Sequence, residues 1–209
     1  MTEKYFFDTD CLSAFLWVRE ESILAKLYEG RIILPAQVYN ELQRVPHLLA
    51  KVDTLKNSGA LNIESMEAGS AEYNDYLQMI TSPAAGMRII GRGEAAGIAM
   101  VKQRGGTLAS NNLRDIRPYV EKYGISHITT GDILIEAMEA SIITEAEGNI
   151  IWSEMIRRRR MLPTTTFSDY IANYRTVSKR IGVAKGKLKS PEDLDQYNDE
   201  IAVMFGGSL

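Results

Sequence analysis

Short apolar runs alternate with helix-patterned stretches along the first 130 residues, and no other feature narrows the possible folds as far. "KYFF", "RIILP", "LNIESM", "TLAS" and "SHITT" read as strands. Between them, Cys11 to Tyr28 reads as one helix, with apolar residues at Leu12, Phe15, Leu16, Ile23, Leu24 and Leu27. Ala36 to about Arg44 and His47 to Ser58 read as two more, and Tyr73 to Ile80 as another, broken by Ser82-Pro83. "GRGEAAGIAMVKQRG" opens and closes on glycines and reads as a helix, and Arg117 to Lys122 as a short one. Strands that alternate with helices predict a parallel sheet covered on both faces, with "LNIESM" at an edge. Sheets of this kind bind ligands beyond the carboxyl ends of their strands. "FFDTD", "TLASNN" and "HITTGD" each carry polar residues at that end.

A chain of 209 residues that is 45% apolar buries a core without staples, as one domain plus an appendage. The single Cys11 excludes an internal disulfide framework and, beside two acids, suits core packing better than nucleophilic chemistry. No charged leader precedes an apolar stretch, and no apolar run approaches the roughly 18 to 20 residues of a membrane span, so a cytoplasmic protein without a membrane partner is expected. The net charge of -3 does not by itself attract nucleic acid, so a polyanionic partner needs a local basic patch. "MIRRRRMLP", from Met155 to Pro163, supplies one. Four arginines spaced about 100° apart around a helix cannot all be covered. They form either a solvated helix end or a phosphate-binding ridge with Arg157 and Arg158 as candidate contacts, since guanidinium grips phosphate with two parallel hydrogen bonds.

Asp8 and Asp10 close the first strand in "YFFDTDCLSA". The strand-to-helix turn favours Asp10 as a cap of the following helix. The same stretch resembles the opening motif of haloacid-dehalogenase-type phosphatases, which would make Asp8 a nucleophile toward phosphorus and Asp10 its acid and base. Under that resemblance Lys102 neutralises a phosphate and Asp132 with Glu136 forms the acidic metal motif, although Leu12 stands where the family has threonine.

Several spaced elements together resemble a second family, the PIN-domain nucleases. "FFDTDCLSAF" is similar to that family's opening strand and helix, "ILPAQVYNEL" to a Pro-initiated helix presenting Glu41, and "GRGEAAGIAMVKQRGGTLASNNLRDI" to a Gly-led helix carrying Glu94 followed by a strand that ends in Ser110, Asn111, Asn112 and Asp115. The resemblance runs from about Tyr5 through Thr129. It implies a PIN-like three-layer α/β/α fold with a central parallel sheet. It also implies a metal-dependent nuclease in which Asp8, Glu94 and Asp115 hold Mg²⁺ or Mn²⁺, Glu41 orients or activates the attacking water, and Ser110 and Asn112 position water or substrate. Asn112 departs from the pattern, because many PIN proteins have Asp there. The chemistry is consistent: crowded carboxylates repel and raise one another's pKa until a cation balances them, and an all-oxygen donor set selects Mg²⁺ or Mn²⁺ over zinc. Taken singly, each acid also reads as a surface charge or cap, Glu94 behind Gly91 and Gly93 being a first-turn acid favoured by the helix dipole. His47 and His127 stand far apart and read as structural or surface residues, and Met79 and Met100 fit helical core positions.

"GISHITTGDILIEAMEASIITEAEGNIIWSEMIRRRRMLP" resembles a helical extension of some PIN-like proteins, with a strand, a Gly and two helices. Asp132 is expected to cap the first, and Ile133, Leu134, Ala137 and Met138 to form its apolar face. The organisation expected is a nuclease domain over 1–130, its helical extension over 131–174 and a tail over 175–209. The tail, "KRIGVAKGKLKSPEDLDQYNDEIAVMFGGSL", resembles the neutralising end of antitoxins that partner PIN toxins, with Leu194 where these commonly have an aromatic residue. The resemblance implies a tail that docks on a PIN domain through Ile201, Val203, Met204 and Phe205, with Lys185 or Lys187 reaching the acidic site. Together these resemblances imply a toxin-type endoribonuclease acting on RNA, partnered by an antitoxin or its own tail, as a homodimer. The alternative within the same family is a catalytically inactive RNA-binding or regulatory module, with Asn112 as the inactivating change.

Overall fold

A computed structural model describes residues 2–183 of the chain, with side chains through residue 176. The tail expectations on Lys185, Lys187, Leu194 and Ile201 to Phe205 lie outside the described residues. Residues Met1–Tyr170 form one compact unit, and a second begins at Ile171.

Five short strands build the sheet: β1 (Tyr5–Phe7), β2 (Ile32–Pro35), β3 (Leu61–Glu64), β4 (Thr107–Ala109) and β5 (Ser126–Ile128). All neighbours run parallel, in the order β3-β2-β1-β4-β5, which leaves "LNIESM" at an edge as expected. The chain starts in the middle, winds outward through β2 and β3, and returns to the other side of β1 for β4 and β5. The order therefore reverses between β1 and β4, where an open crevice forms at the carboxyl ends of the strands.

The helices are α1 (Thr9–Val18), α2 (Glu21–Leu27), α3 (Ala36–Leu42), α4 (Pro46–Asn57), α5 (Ala71–Thr81), α6 (Arg92–Arg104), α7 (Leu113–Tyr123), α8 (Thr130–Glu139), α9 (Glu145–Arg157) and α10 (Phe167–Val183). Within the first unit they complete the expected three-layer α/β/α arrangement, with the parallel sheet between helices. Phe6, Ile33 and Leu108 are register partners on β1, β2 and β4, and all three enter the core formed with α5, α6 and α7. Their neighbours Phe7, Ile32 and Leu34 point to the other face by the alternation of the pleat, and they too are buried. Met79 and Met100 lie in the core.

Three local readings need correction. The helix expected over Cys11 to Tyr28 is two helices, because Arg19 adopts a left-handed conformation at φ 65°. There the Arg19 N–H donates to the Leu16 carbonyl and the Glu20 N–H to the Phe15 carbonyl, the paired closure that ends a helix. The helix expected from Arg117 begins earlier, at Leu113, and carries Pro118 inside it. Asp132 is not the cap of α8: Thr129 is, and Asp132 reaches back to accept from the Thr129 N–H at 2.8 Å while the Asp132 N–H donates to Thr129 Oγ1.

Candidate active site

The turn out of β1 places the first carboxylate. Phe7 ends the strand, and the Asp8 N–H still donates to the Ala109 carbonyl of β4 at 2.9 Å, so the side chain projects from the carboxyl edge at the crevice between β1 and β4. Asp8, and not Asp10, occupies the cap position of α1, with Oδ1 accepting from the Thr9 N–H. Its other oxygen accepts from Ser110 Oγ at 2.8 Å, and Ser110 follows directly on β4. Asp8 is only 4% exposed. Burial, followed by the charge of Glu94 and then that of Asp10, pushes its carboxyl up to about 7 against the opposing hydrogen bonds from Ser110 and Thr9.

Asp10 sits in the first turn of α1, exposed, with its carboxylate in the same cleft. Glu41 comes from α3, just after β2, and its two oxygens are fixed from opposite sides, by Thr9 Oγ1 at 2.5 Å and the Gly93 N–H at 3.1 Å. This crossing is tight. A Cβ on Gly93 would stand 3.1 Å from Val38 Cγ2 and 3.2 Å from both Glu41 Oε2 and Thr9 Oγ1, so any larger residue there would press on these side chains of α1 and α3. Glu94 follows in the first turn of α6, with Oε2 accepting from the Gly91 N–H at 2.9 Å. Burial also raises the Glu94 carboxyl, with Asp115 and Asp10 adding to the rise and hydrogen bonds from Asn112 and Gly91 opposing it. Asp8, Asp10, Glu41 and Glu94 thus line one cleft of about 200 Å³.

Asn112 joins this cleft to the next. Its Nδ2 donates to Glu94 Oε1 at 2.5 Å and to Asp115 Oδ2 at 2.9 Å, so one amide lies between two carboxylates. On its far side a larger cavity of about 530 Å³ is lined by Asp10, Asn112 and Asp115 together with Arg114, Arg159 and Arg160. Asp10 faces both cavities.

The fit to a metal ion divides into chemistry and geometry. A carboxyl driven up first by burial and then by two neighbouring acids, in a donor set made only of oxygens, is what a hard divalent cation relieves. Among the described residues, however, no three His, Cys, Asp or Glu side chains converge closely enough to ring an ion as they stand. Their oxygens are turned to Thr9, Ser110, Gly91, Gly93 and Asn112 instead. The donors fit in kind.

A profile of the PIN-domain family matches residues 4–175. The chain belongs to the PIN-domain family. PIN domains are nuclease-type folds that generally work with divalent metal ions, which accounts for a buried acid at the switch point of the sheet. The comparison with curated proteins finds no match. Membership removes the phosphatase alternative, and the structure shows where its supports went. Lys102 pairs with Asp75 at 2.7 Å, Glu136 accepts from the buried Tyr28 hydroxyl, and Asp132 is held by Thr129 and Tyr170.

The structure brings Asp8, Glu41, Glu94, Ser110, Asn112 and Asp115 into one bonded neighbourhood. It places Arg157 elsewhere, paired with Glu154 on the exposed side of α9, and Arg158 as the residue that closes that helix. Arg114, Arg159 and Arg160 line the cavity instead. Thr9 was also missed. Its hydroxyl beside the first Asp of the PIN-like opening motif was the signal, but nothing in the sequence says that this hydroxyl reaches Glu41. His127 backs the site from β5, with Nε2 donating to the Ser110 carbonyl at 2.8 Å, and burial lowers its pKa. His47 packs edge-on to Trp17. Cys11 is fully buried beside Thr130, and burial pushes its thiol up, away from nucleophilic use.

Proposed function

We propose that the chain is a metal-dependent endoribonuclease of toxin type that hydrolyses RNA phosphodiester bonds. The observation that carries this reading is Asp8: a carboxyl almost wholly withdrawn from water at the β1–β4 crevice, facing the charges of Glu94 and Asp10. Such a group is costly in the free protein and becomes useful when a cation shares it. In this reading Asp8, Glu94 and Asp115 are the residues that hold the ion. A bound Mg²⁺ or Mn²⁺ supplies Lewis acidity, polarising a phosphodiester oxygen and lowering the pKa of a water.

The remaining work belongs to the chain's own groups. Ser110 Oγ and the Thr9 N–H hold the Asp8 carboxylate from both sides and so set its direction into the cleft. Glu41, clamped by Thr9 Oγ1 and the Gly93 N–H, retains a lone pair on each oxygen to orient the attacking water. Asn112 holds Glu94 and Asp115 together and must yield one donor when either carboxylate turns toward a cation. That same contact favours a second reading, in which the chain binds RNA without cutting it, because an amide already satisfies the two acids.

Incubation of labelled structured RNA with Mg²⁺, with Mn²⁺ and with chelator separates the two. The nuclease reading expects internal cleavage with metal and none with chelator. It also expects a loss in Asp8→Asn of about a hundredfold or more, since even partners of metal ligands are worth about 10 to 100-fold. RNA that stays intact under both metals while the protein still binds it assigns the second reading.

A further inference from the structure

A third cavity adjoins the arginine-lined one. It holds about 410 Å³ and is walled by Leu113, Met161, Leu162, Pro163, Thr129 and Tyr170. It shares Asn111, Leu113 and Met161 with the arginine-lined cavity, so the two are continuous. One half of this surface is charged and the other is largely apolar. We infer that it is a track for a single-stranded polynucleotide: Arg114, Arg159 and Arg160 hold backbone phosphates, and the apolar cavity receives an unpaired base. The inference rests on the nuclease reading for the position of the scissile bond, which the adjoining Asp10 and Asp115 mark.

Three observations carry it. First, none of the ion pairs among the described residues uses Arg114, Arg159 or Arg160, whereas neighbouring Arg157 is paired with Glu154. Arg160 donates only to neutral acceptors, Ser13 Oγ at 3.4 Å and the Arg158 carbonyl at 3.3 Å, so three guanidinium groups not neutralised by any described carboxylate surround one cavity and match the charge of phosphate oxygens. Second, Arg159 has φ 60°, a conformation that glycine takes freely and arginine only at a cost. It directly follows Arg158, the residue that closes α9, and there the Arg159 N–H donates to the Ile156 carbonyl and the Arg160 N–H to the Met155 carbonyl, a corner where glycine is the usual residue. The strained corner aims two consecutive arginines at the cavity, and strain kept at a site points to use. Third, Met161 is 93% exposed and Pro163 is exposed as well, an apolar lip next to the charges. A base locked in a duplex cannot enter such a cavity, and a splayed base can, with contact through its faces and not its edges.

The test uses the full chain in chelator, so that binding is read without cutting, and a short labelled single-stranded RNA titrated at several salt concentrations. Parallel arms use DNA of the same sequence and the RNA annealed to its complement. The RNA strand is expected to bind more tightly than its duplex. Arg114→Ala, Arg159→Gly and Arg160→Ala should each weaken it by about tenfold and reduce the slope of log affinity against log salt by about 0.7. Met161→Ser should weaken binding severalfold without changing the slope. Arg159→Gly should melt no lower than the parent, and Arg19→Gly, at the left-handed corner after α1, should leave binding alone. Equal binding of the DNA strand supports the track with either sugar. Preference for the duplex, or parental affinity and slope in the three arginine variants, overturns the inference. RNA bound in this way but never cut with any metal removes the nuclease reading and leaves the track. Cutting that is indifferent to the arginines does the reverse.

Discussion

Asp8 is the residue on which chemistry and stability meet. An aspartate in water releases its proton near 3.8, and in the folded chain Asp8 does so at about 7, mainly through burial. Below the first value both states are protonated and nothing is at stake. Between the two, the native state holds a proton that the unfolded chain has released, so stability falls as pH rises through this window. Above about 7 the full penalty is present, about 4 kcal/mol on the scale of 1.36 kcal/mol per pKa unit. Asp8→Asn removes it with little loss of bonding, because the amide oxygen accepts from the Thr9 N–H and the amide nitrogen donates to Ser110 Oγ. We therefore expect Asp8→Asn to melt higher than the parent in chelator at about pH 8, and the gap to close toward about pH 4. Equal melting of the two proteins across this range would show that the acid is not buried at a cost. The sequence revealed this residue through its place after an apolar strand. It did not reveal that Asp8 itself takes the cap position expected of Asp10, since the sequence does not say on which of two acids, two residues apart, the helix begins.

Elements were legible wherever their own residues mark their ends. Ser82-Pro83 after α5 and the glycine pair after α6 did so, and Pro35 closes β2 where expected. Boundaries were lost where an unlikely residue does a glycine's work. Arg19 ends α1 in a left-handed conformation without any sequence signal, which made two helices look like one. Arg19→Gly should accordingly raise stability by about 1 kcal/mol, measurable by denaturant unfolding with an unchanged slope. The arginine run reads as a helix segment, either a solvated end or a phosphate-binding ridge, but the helix stops at Arg157, and the second pair of arginines and not the first lines the cavity. Close approach of elements is equally invisible in a sequence. A Cβ on Gly97 would stand 2.8 Å from Leu108 Cδ1, a fully buried side chain of β4, so α6 lies against the sheet at a distance that only glycine permits. Gly97→Ala should lower stability by about 1 to 3 kcal/mol through overpacking, whereas Gly97 as a plain helix residue would gain from the same change.

At the scale of the whole molecule, the parallel sheet and its helical cover followed from the alternation of strand and helix, while the strand order did not. Nothing in "TLAS" says that it pairs with β1 and not β3, because short buried strands all present the same apolar face. That order creates the switch point which gathers Asp8, Ser110 and Asn112 from distant segments. Among the described residues no helix is long and apolar enough to cross a membrane. Inhibition by the chain's own tail is a proposal that belongs to this scale. Tethering places an attached segment at an effective concentration on the order of millimolar, so a chain ending at Tyr174 should cut RNA faster than the full-length protein. Equal rates would remove the tail from the mechanism. The central claim, that this crevice is a cation site built around one buried acid, is tested most directly by calorimetric titration of the metal-free protein with Mn²⁺ near pH 7. The account predicts saturable binding that releases a proton as Asp8 ionises, lost in Asp8→Asn; no heat of binding, or the same binding and proton release in Asp8→Asn, would contradict it.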